Sequence, residues 1–306
     1  MVHYLHMKNI LILGAVVVAA IVGGFALYSF ISNDKSVVTF DTSAVQTSDS
    51  QTTTSAEPES GTGDTVEQSP QTSSDGTAYR IGTSAGGKDI MAHTFGTGEK
   101  EVILIGGIHA GFAPSTESLL RMFITTARDA SGFIPASVRV TVIPLLNPDS
   151  ATGAAGALSG RLNANGVDLN RNFACSWQKD AVWQTQPVSG GSAAFSEPEA
   201  QALRDYIAKA KPVAVVAYYA KAGGVYASAC GDKTVAQSST LTNLYAGATG
   251  YSAHKAFDSY ATSGDLTNWL AGQGVPAISV LLTSYTEAEF AKNALGISAV
   301  LQEIVK

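Results

Sequence analysis

The sequence predicts an α/β domain built on a mixed, mainly parallel sheet flanked by helices. Three observations predict it. Apolar runs rich in β-formers recur through the last two thirds of the chain, helical patterns separate them, and each run ends beside a polar or glycine-rich segment.

Glu101 to Ile108 reads as a buried strand and Ser115 to Ala127 as the helix that follows it. Val138 to Leu146, Val213 to Tyr219 and Ala277 to Leu282 read as three further strands. One helix start is well marked: Ser196 places a hydroxyl cap three residues before Glu199, with Pro198 in the first turn, and the helix should run to about Ala210. Glu287 to Val305 reads as a last helix, with Phe290, Leu295, Ile297, Val300, Leu301 and Ile304 on its apolar face. No internal repeat is visible.

Ahead of this domain the composition changes twice. After a short segment at 1–9, residues 10–31 run for 22 positions without a charge. At about 1.5 Å per helical residue that crosses a hydrocarbon core of about 30 Å. A cleaved signal peptide has a shorter apolar region and a small-x-small site, which Leu27 to Phe30 does not offer, so the expectation is an uncleaved single-pass membrane anchor. Lys8 is the one formal positive charge before the span and Lys35 follows soon after it, and the expectation is that the C-terminal domain lies outside the cytoplasm. Residues 32–77 are almost wholly Ser, Thr, Gln, Gly and acidic, a composition that cannot repay the entropy of folding, and read as a disordered stalk. The stalk carries eight acidic residues and one lysine against a whole-chain charge of −6, which leaves the domain at 78–306 near neutral. Overall acidity therefore says nothing about the ligand. No basic patch or aromatic-rich basic run points to nucleic acid.

In open α/β sheets ligands bind beyond the carboxyl ends of the strands. Three loops in such places hold chemically capable side chains. The first contains His109, which taken alone is more often a hydrogen-bonded structural residue. The second runs from Asn147 to Asp149 and on through Arg161 to Phe173; its arginines and amides suit a carboxylate, although buried loop hydrogen bonds would use the same residues. The third carries Tyr260, whose phenol can donate to a substrate carboxylate or amide. Cys175 and Cys230 both lie in the domain, where an oxidising location permits a disulfide; two buried thiols are the alternative.

Taken together, these segments resemble the zinc carboxypeptidase (carboxypeptidase A-like) family in order and spacing over residues 79 to 300. The resemblance is carried by Tyr79 to Ser84 with Gly87, Gly107 to His109, Asn147 to Asp149, Gly166 to Phe173 and Phe195 to Glu199. It continues through Gly224 to Tyr226, the Tyr260 loop, and Glu289 with Asn293. It implies a zinc held by a histidine, a glutamate and a second histidine, with water in the open position and a late glutamate as general base. It also implies oxyanion stabilisation by Arg161, a carboxylate clamp of Asn170 and Arg171, a mobile Tyr260 over the peptide, and Thr267 lining the specificity pocket. Asp265 beside it would attract an amino group.

The sequence departs from that pattern where the metal belongs. His109 is present, but the expected glutamate position holds Phe112 or Ala113, the second histidine position holds Ala220, and the general-base position falls at Leu281. Glu117, His254, Asp265 and His93 are the conceivable replacement ligands, and none has supporting spacing. The lost groups all serve zinc or its water, whereas the carboxylate clamp and oxyanion arginine remain. The expected function is therefore a catalytically impaired pseudopeptidase that binds the C-terminal carboxylate of a peptide or peptidoglycan stem peptide. An active zinc carboxypeptidase with a rebuilt metal site and a scaffold or adhesion module are the alternatives.

Overall fold

Lys100–Ile105 (β3) shows why these apolar runs become central strands. Val102 and Leu104 pack on one face of the sheet and Ile103 and Ile105 on the other, all fully buried, as a strand covered on both sides requires. The computed structural model describes residues 77–130 and 132–306, which belong to one compact unit. The membrane span expected at 10–31 and nearly all of the stalk expected at 32–77 lie outside them. Among the described residues no helix is long and apolar enough to cross a membrane.

Before β3 come Thr77–Thr83 (β1) and Asp89–Phe95 (β2); after it come helix Pro114–Asp129 (α1) and Val138–Ile143 (β4). A long excursion then carries three 3-10 turns and a small hairpin of Asp180–Trp183 (β5) and Gln186–Ser189 (β6). Helix Pro198–Ala210 (α2) leads to Ala214–Ala220 (β7), Gly224–Ala227 (β8), and the short pair Ala229–Cys230 (β9) and Lys233–Thr234 (β10). Helix Ala236–Thr249 (α3), Ser252–His254 (β11), helix Leu266–Gly272 (α4), Ala277–Leu282 (β12) and helix Phe290–Val305 (α5) complete the domain.

Eight strands form one sheet in the order β1-β2-β4-β3-β7-β12-β8-β11. The four central strands β4, β3, β7 and β12 run parallel, and antiparallel pairings flank them. One face buries α1, α3 and α5 through Phe123, Leu241, Ile297 and Leu301; the other buries α2 and α4 through Leu203, Ile207, Leu266 and Leu270. The mixed, mainly parallel sheet between helices is thus the one expected.

Element ends differ from expectation for local reasons. Two strands expected to reach Ile108 and Leu146 stop at Ile105 and Ile143. Gly107 turns into the left-handed region with φ +59, and a Cβ there would meet Leu145 Cα at 2.8 Å, so the two chains cross too closely for side chains. Ser196 does not cap α2. Glu197 is the N-cap without a side-chain bond, because the Ser196 hydroxyl donates to Glu197 Oε1 and accepts from Asn172 Nδ2. The last helix starts at Phe290 rather than Glu287, since Ser284 Oγ accepts from the amides of Thr286 and Glu287 and holds a turn there.

Candidate functional site

The parallel strands place their carboxyl ends at one edge of the sheet, and the loops leaving β3, β7 and β12 meet there. A polar cluster at this edge centres on Asp168, whose side chain is fully buried. Asp168 Oδ1 faces His109 Nε2 at 2.8 Å and accepts the Asn170 amide at 3.1 Å. Its Oδ2 accepts from Arg161 Nε at 2.9 Å and lies 2.9 Å from Arg161 Nη2. Burial alone pushes the Asp168 carboxyl up, but Arg161 and His109 outweigh it and hold the group far below the usual carboxylate range.

The same surroundings act oppositely on His109, where burial and then the Arg161 charge hold the pKa down at about 4. The imidazole is therefore neutral at pH 7. A carboxylate can only accept, so Nε2 carries the hydrogen and Nδ1 the lone pair. An unfolded histidine takes up its proton near 6.5 and the folded one near 4, so the folded state is disfavoured as pH falls through that window. Urea unfolding should lose stability on the order of 3 kcal/mol between those pH values, and His109→Gln should flatten the dependence. An equally steep dependence in His109→Gln would place the titrating group elsewhere.

Arg171 is 1% exposed and lies in the next turn. Its Nη1 donates to the Asn170 carbonyl at 2.7 Å and its Nε to the Val182 carbonyl at 3.0 Å, while buried Nη2 has no partner among the described residues. Among the described residues it has no carboxylate within ion-pair distance. Gly264 explains the tight seat: it sits at φ +60, and a Cβ there would run into the Arg171 backbone.

Asn170 and Asp265 hold the floor together. Asn170 Nδ2 donates to Asp265 Oδ2 at 2.7 Å, and Asn170 Oδ1 accepts from Tyr219 Oη and the Leu266 amide, both at 3.1 Å. Asp265 also caps α4, its Oδ1 accepting from the Asn268 amide at 2.9 Å and from Thr267 Oγ1 at 2.9 Å. Asp265 thus serves as a helix cap while it borders the pocket.

His109, Arg161, Asn170, Arg171, Tyr260, Asp265 and Thr267, gathered from separate loops, all border one inner pocket of about 70 Å³. Beside it lies an outer cleft of about 390 Å³, and Ala220, Leu281, Tyr260, Trp183 and Phe257 border both. Phe112, fully buried in the wall of this cleft, makes edge-on contacts with Trp183 and Tyr285 at 5.2 and 4.7 Å. Arg161 lies against Phe112 and Trp183 with its guanidinium carbon 5.2 and 4.7 Å from the ring centres. Ala113 is instead the N-cap of α1. The four positions His109, Phe112, Ala220 and Leu281 thus converge, but their phenyl, methyl and isobutyl groups do not fit a three-ligand zinc centre. Among the described residues no three or more His, Cys, Asp or Glu side chains gather to hold a metal.

The conceivable replacement ligands lie in other arrangements. Glu117 pairs with Arg121 at 2.7 Å, His254 stacks on Tyr226 at 4.5 Å, and His93 faces Arg128 and Arg121 from β2. Cys175 and Cys230 are bonded, with Cα atoms 5.8 Å apart, tying the segment after Arg171 to β9. Sequence reasoning gave no role to Asp168, Trp183, Tyr219 or Tyr285. Asp168 stood inside the Gly166 to Phe173 motif, a usable signal; Trp183 arrives on a four-residue hairpin strand that has no apolar pattern to announce it.

Comparison with known proteins accords with this geometry. The sequence model of the zinc carboxypeptidase (peptidase M14) family matches residues 65–292. Carboxypeptidase E of Caenorhabditis elegans is 35% identical over 117 residues, 32% of this chain and 25% of that protein. Murein peptide amidase A of Escherichia coli (strain K12) is 36% identical over 95 residues, 28% of this chain and 37% of that protein. The match thus spans well under two thirds of either relative. The crystal structure of murein-tripeptide amidase from Escherichia coli O157 superposes with a TM-score of 0.56 at 25% identity, covering 73% of this chain and 90% of that one. Bovine thrombin-activatable fibrinolysis inhibitor, in complex with tick carboxypeptidase inhibitor, is similar in fold, with a TM-score of 0.63 at 14% identity over 75% of this chain and 90% of that one. With its motif residues drawn to one cleft and the family's pattern running through most of its length, this chain belongs to the zinc carboxypeptidase family.

Proposed function

We propose that the domain is a pseudopeptidase that binds the C-terminal carboxylate of a peptide without hydrolysing it. The observation that carries this reading is the buried, unpartnered Nη2 of Arg171 at the inner pocket. A buried guanidinium nitrogen left unpaired is costly, and an incoming carboxylate supplies the missing acceptor. Arg161 and Tyr260 border the same space and would contact the chain behind that carboxylate. Phe112, Ala220 and Leu281, at the positions where the family resemblance expects zinc ligands and a general base, offer neither a metal ligand nor a base.

Likeness to a murein peptide amidase supports peptidoglycan stem peptides as the ligand class. The apolar run at 10–31 supports display of the domain outside the cytoplasm on a single-pass anchor. Calorimetric titration of the full chain with one peptide as free acid and as amide tests the reading. The acid is expected to bind about a hundredfold tighter, and Arg171→Lys, which keeps the charge but loses the fork, should remove most of that preference. Equal affinity for acid and amide would refute it.

A second reading rests on His109. Its Nε2 hydrogen on a buried carboxylate leaves Nδ1 free, the arrangement used by metal-ligating histidines. An active enzyme with a rebuilt zinc site would show stoichiometric zinc lost in His109→Ala, and hydrolysis stopped by a chelator.

A further inference from the structure

We infer that the inner pocket is a size filter that accepts peptides ending in glycine, alanine or serine and rejects larger terminal residues. The inference rests on the carboxylate reading above. A carboxylate seated at Arg171 puts the side chain of its own residue into the pocket of about 70 Å³. An apolar cavity of about 150 Å³ takes up a benzene ring, and about half that volume suits a methyl or hydroxymethyl group better than a ring or a long aliphatic chain.

The floor cannot retreat to make room. Thr267 Oγ1 donates to Asp265 Oδ1, and Asp265 is itself held by Asn170 Nδ2 and the Asn268 amide. With the Thr267 hydrogen so used, the 2.9 Å contact between Thr267 Oγ1 and Ser279 Oγ must be donated by Ser279. Ser279 lies on β12 inside the sheet, so both hydroxyls belong to fixed elements. Ser279 and Ala227 border the pocket, a small hydroxyl and a methyl that suit the side chain of serine or alanine. Residues before the last have far more room, since the outer cleft of about 390 Å³ is walled by Phe112, Trp183, Phe257, Tyr260 and Tyr285. Selection by size therefore falls on the terminal residue alone.

One peptide series tests this, identical except for a last residue of Ala, Ser, Leu, Phe or Lys, each made as free acid and as amide and titrated into the full chain. Free acids ending in Ala or Ser are expected to bind at least about tenfold tighter than those ending in Leu, Phe or Lys, the cost of overfilling a packed site. Free acids that all bind alike while the amides are rejected would overturn the size filter and leave the carboxylate reading standing. Acids and amides that bind alike would overturn both. Thr267→Ala, which enlarges the floor, should shrink the Ala-over-Leu ratio severalfold; because the ratio is taken within one variant, a general loss of folded protein cannot imitate it. An unchanged ratio in Thr267→Ala would place the selecting wall elsewhere and overturn the assignment.

Discussion

Asp168→Ala is expected to destabilise the domain by about 3–5 kcal/mol, the cost of leaving buried charge without its counter-ion. The carboxylate is wholly enclosed and serves three partners at once: the His109 ring, the Arg161 guanidinium and the Asn170 amide. Removing it strands a guanidinium that is itself almost fully buried. The sign of its pH dependence follows from its depressed folded pKa. Its stabilisation is complete above the unfolded carboxyl value of about 3.9 and is lost only as pH falls below that point. At neutral pH the full penalty should therefore appear in urea unfolding of Asp168→Ala. A loss under about 1 kcal/mol would mean that water or another acid replaces it, and Asp168 would not be the counter-ion on which the cluster depends.

Phe112→Ala is expected to cost a similar amount, about 3–5 kcal/mol, because a fully buried ring is removed from a packed aromatic group. Its neighbours Trp183 and Tyr285 come from the β5–β6 hairpin and the segment after β12, and both lose a ring contact. Arg161 also loses one of the two rings against which its guanidinium lies. Phe112→Leu should recover much of the loss by refilling the volume. Thermal unfolding of both variants checks this; equal losses for Ala and Leu would argue against packing as the cause.

Much of this arrangement is legible in the chain. Ala277–Leu282 is bounded to the residue, because an apolar run in the middle of a sheet has a proline before it and polar residues after it. Residues of the arginine motif, the Tyr260 loop and His109 come from separate stretches, and all of them do line one pocket. What the chain conceals is mostly decided between distant segments. That Asp265 spends both oxygens on Asn170, Thr267 and the Asn268 amide depends on a contact 95 positions apart. Trp183 reaches the site on a hairpin too short for period-two patterning to register. The Ser196 hydroxyl is drawn from its capping role by Asn172, again a partner from another segment. The bond between Cys175 and Cys230, for which two thiols were the alternative, turns on a spacing in the fold that no count of intervening residues reveals.

The Asn170 side chain touches Tyr219 at the end of β7, the Leu266 amide at the head of α4 and Asp265 beside it. Three walls of the pocket are thus locked to one another before any ligand arrives. Ordering entropy for these groups is met during folding, so a docking peptide has only its own freedom to lose. Recognition on such a surface is rigid-body fitting, and affinity gained or lost there should register in how long the peptide stays rather than in how fast it finds the site.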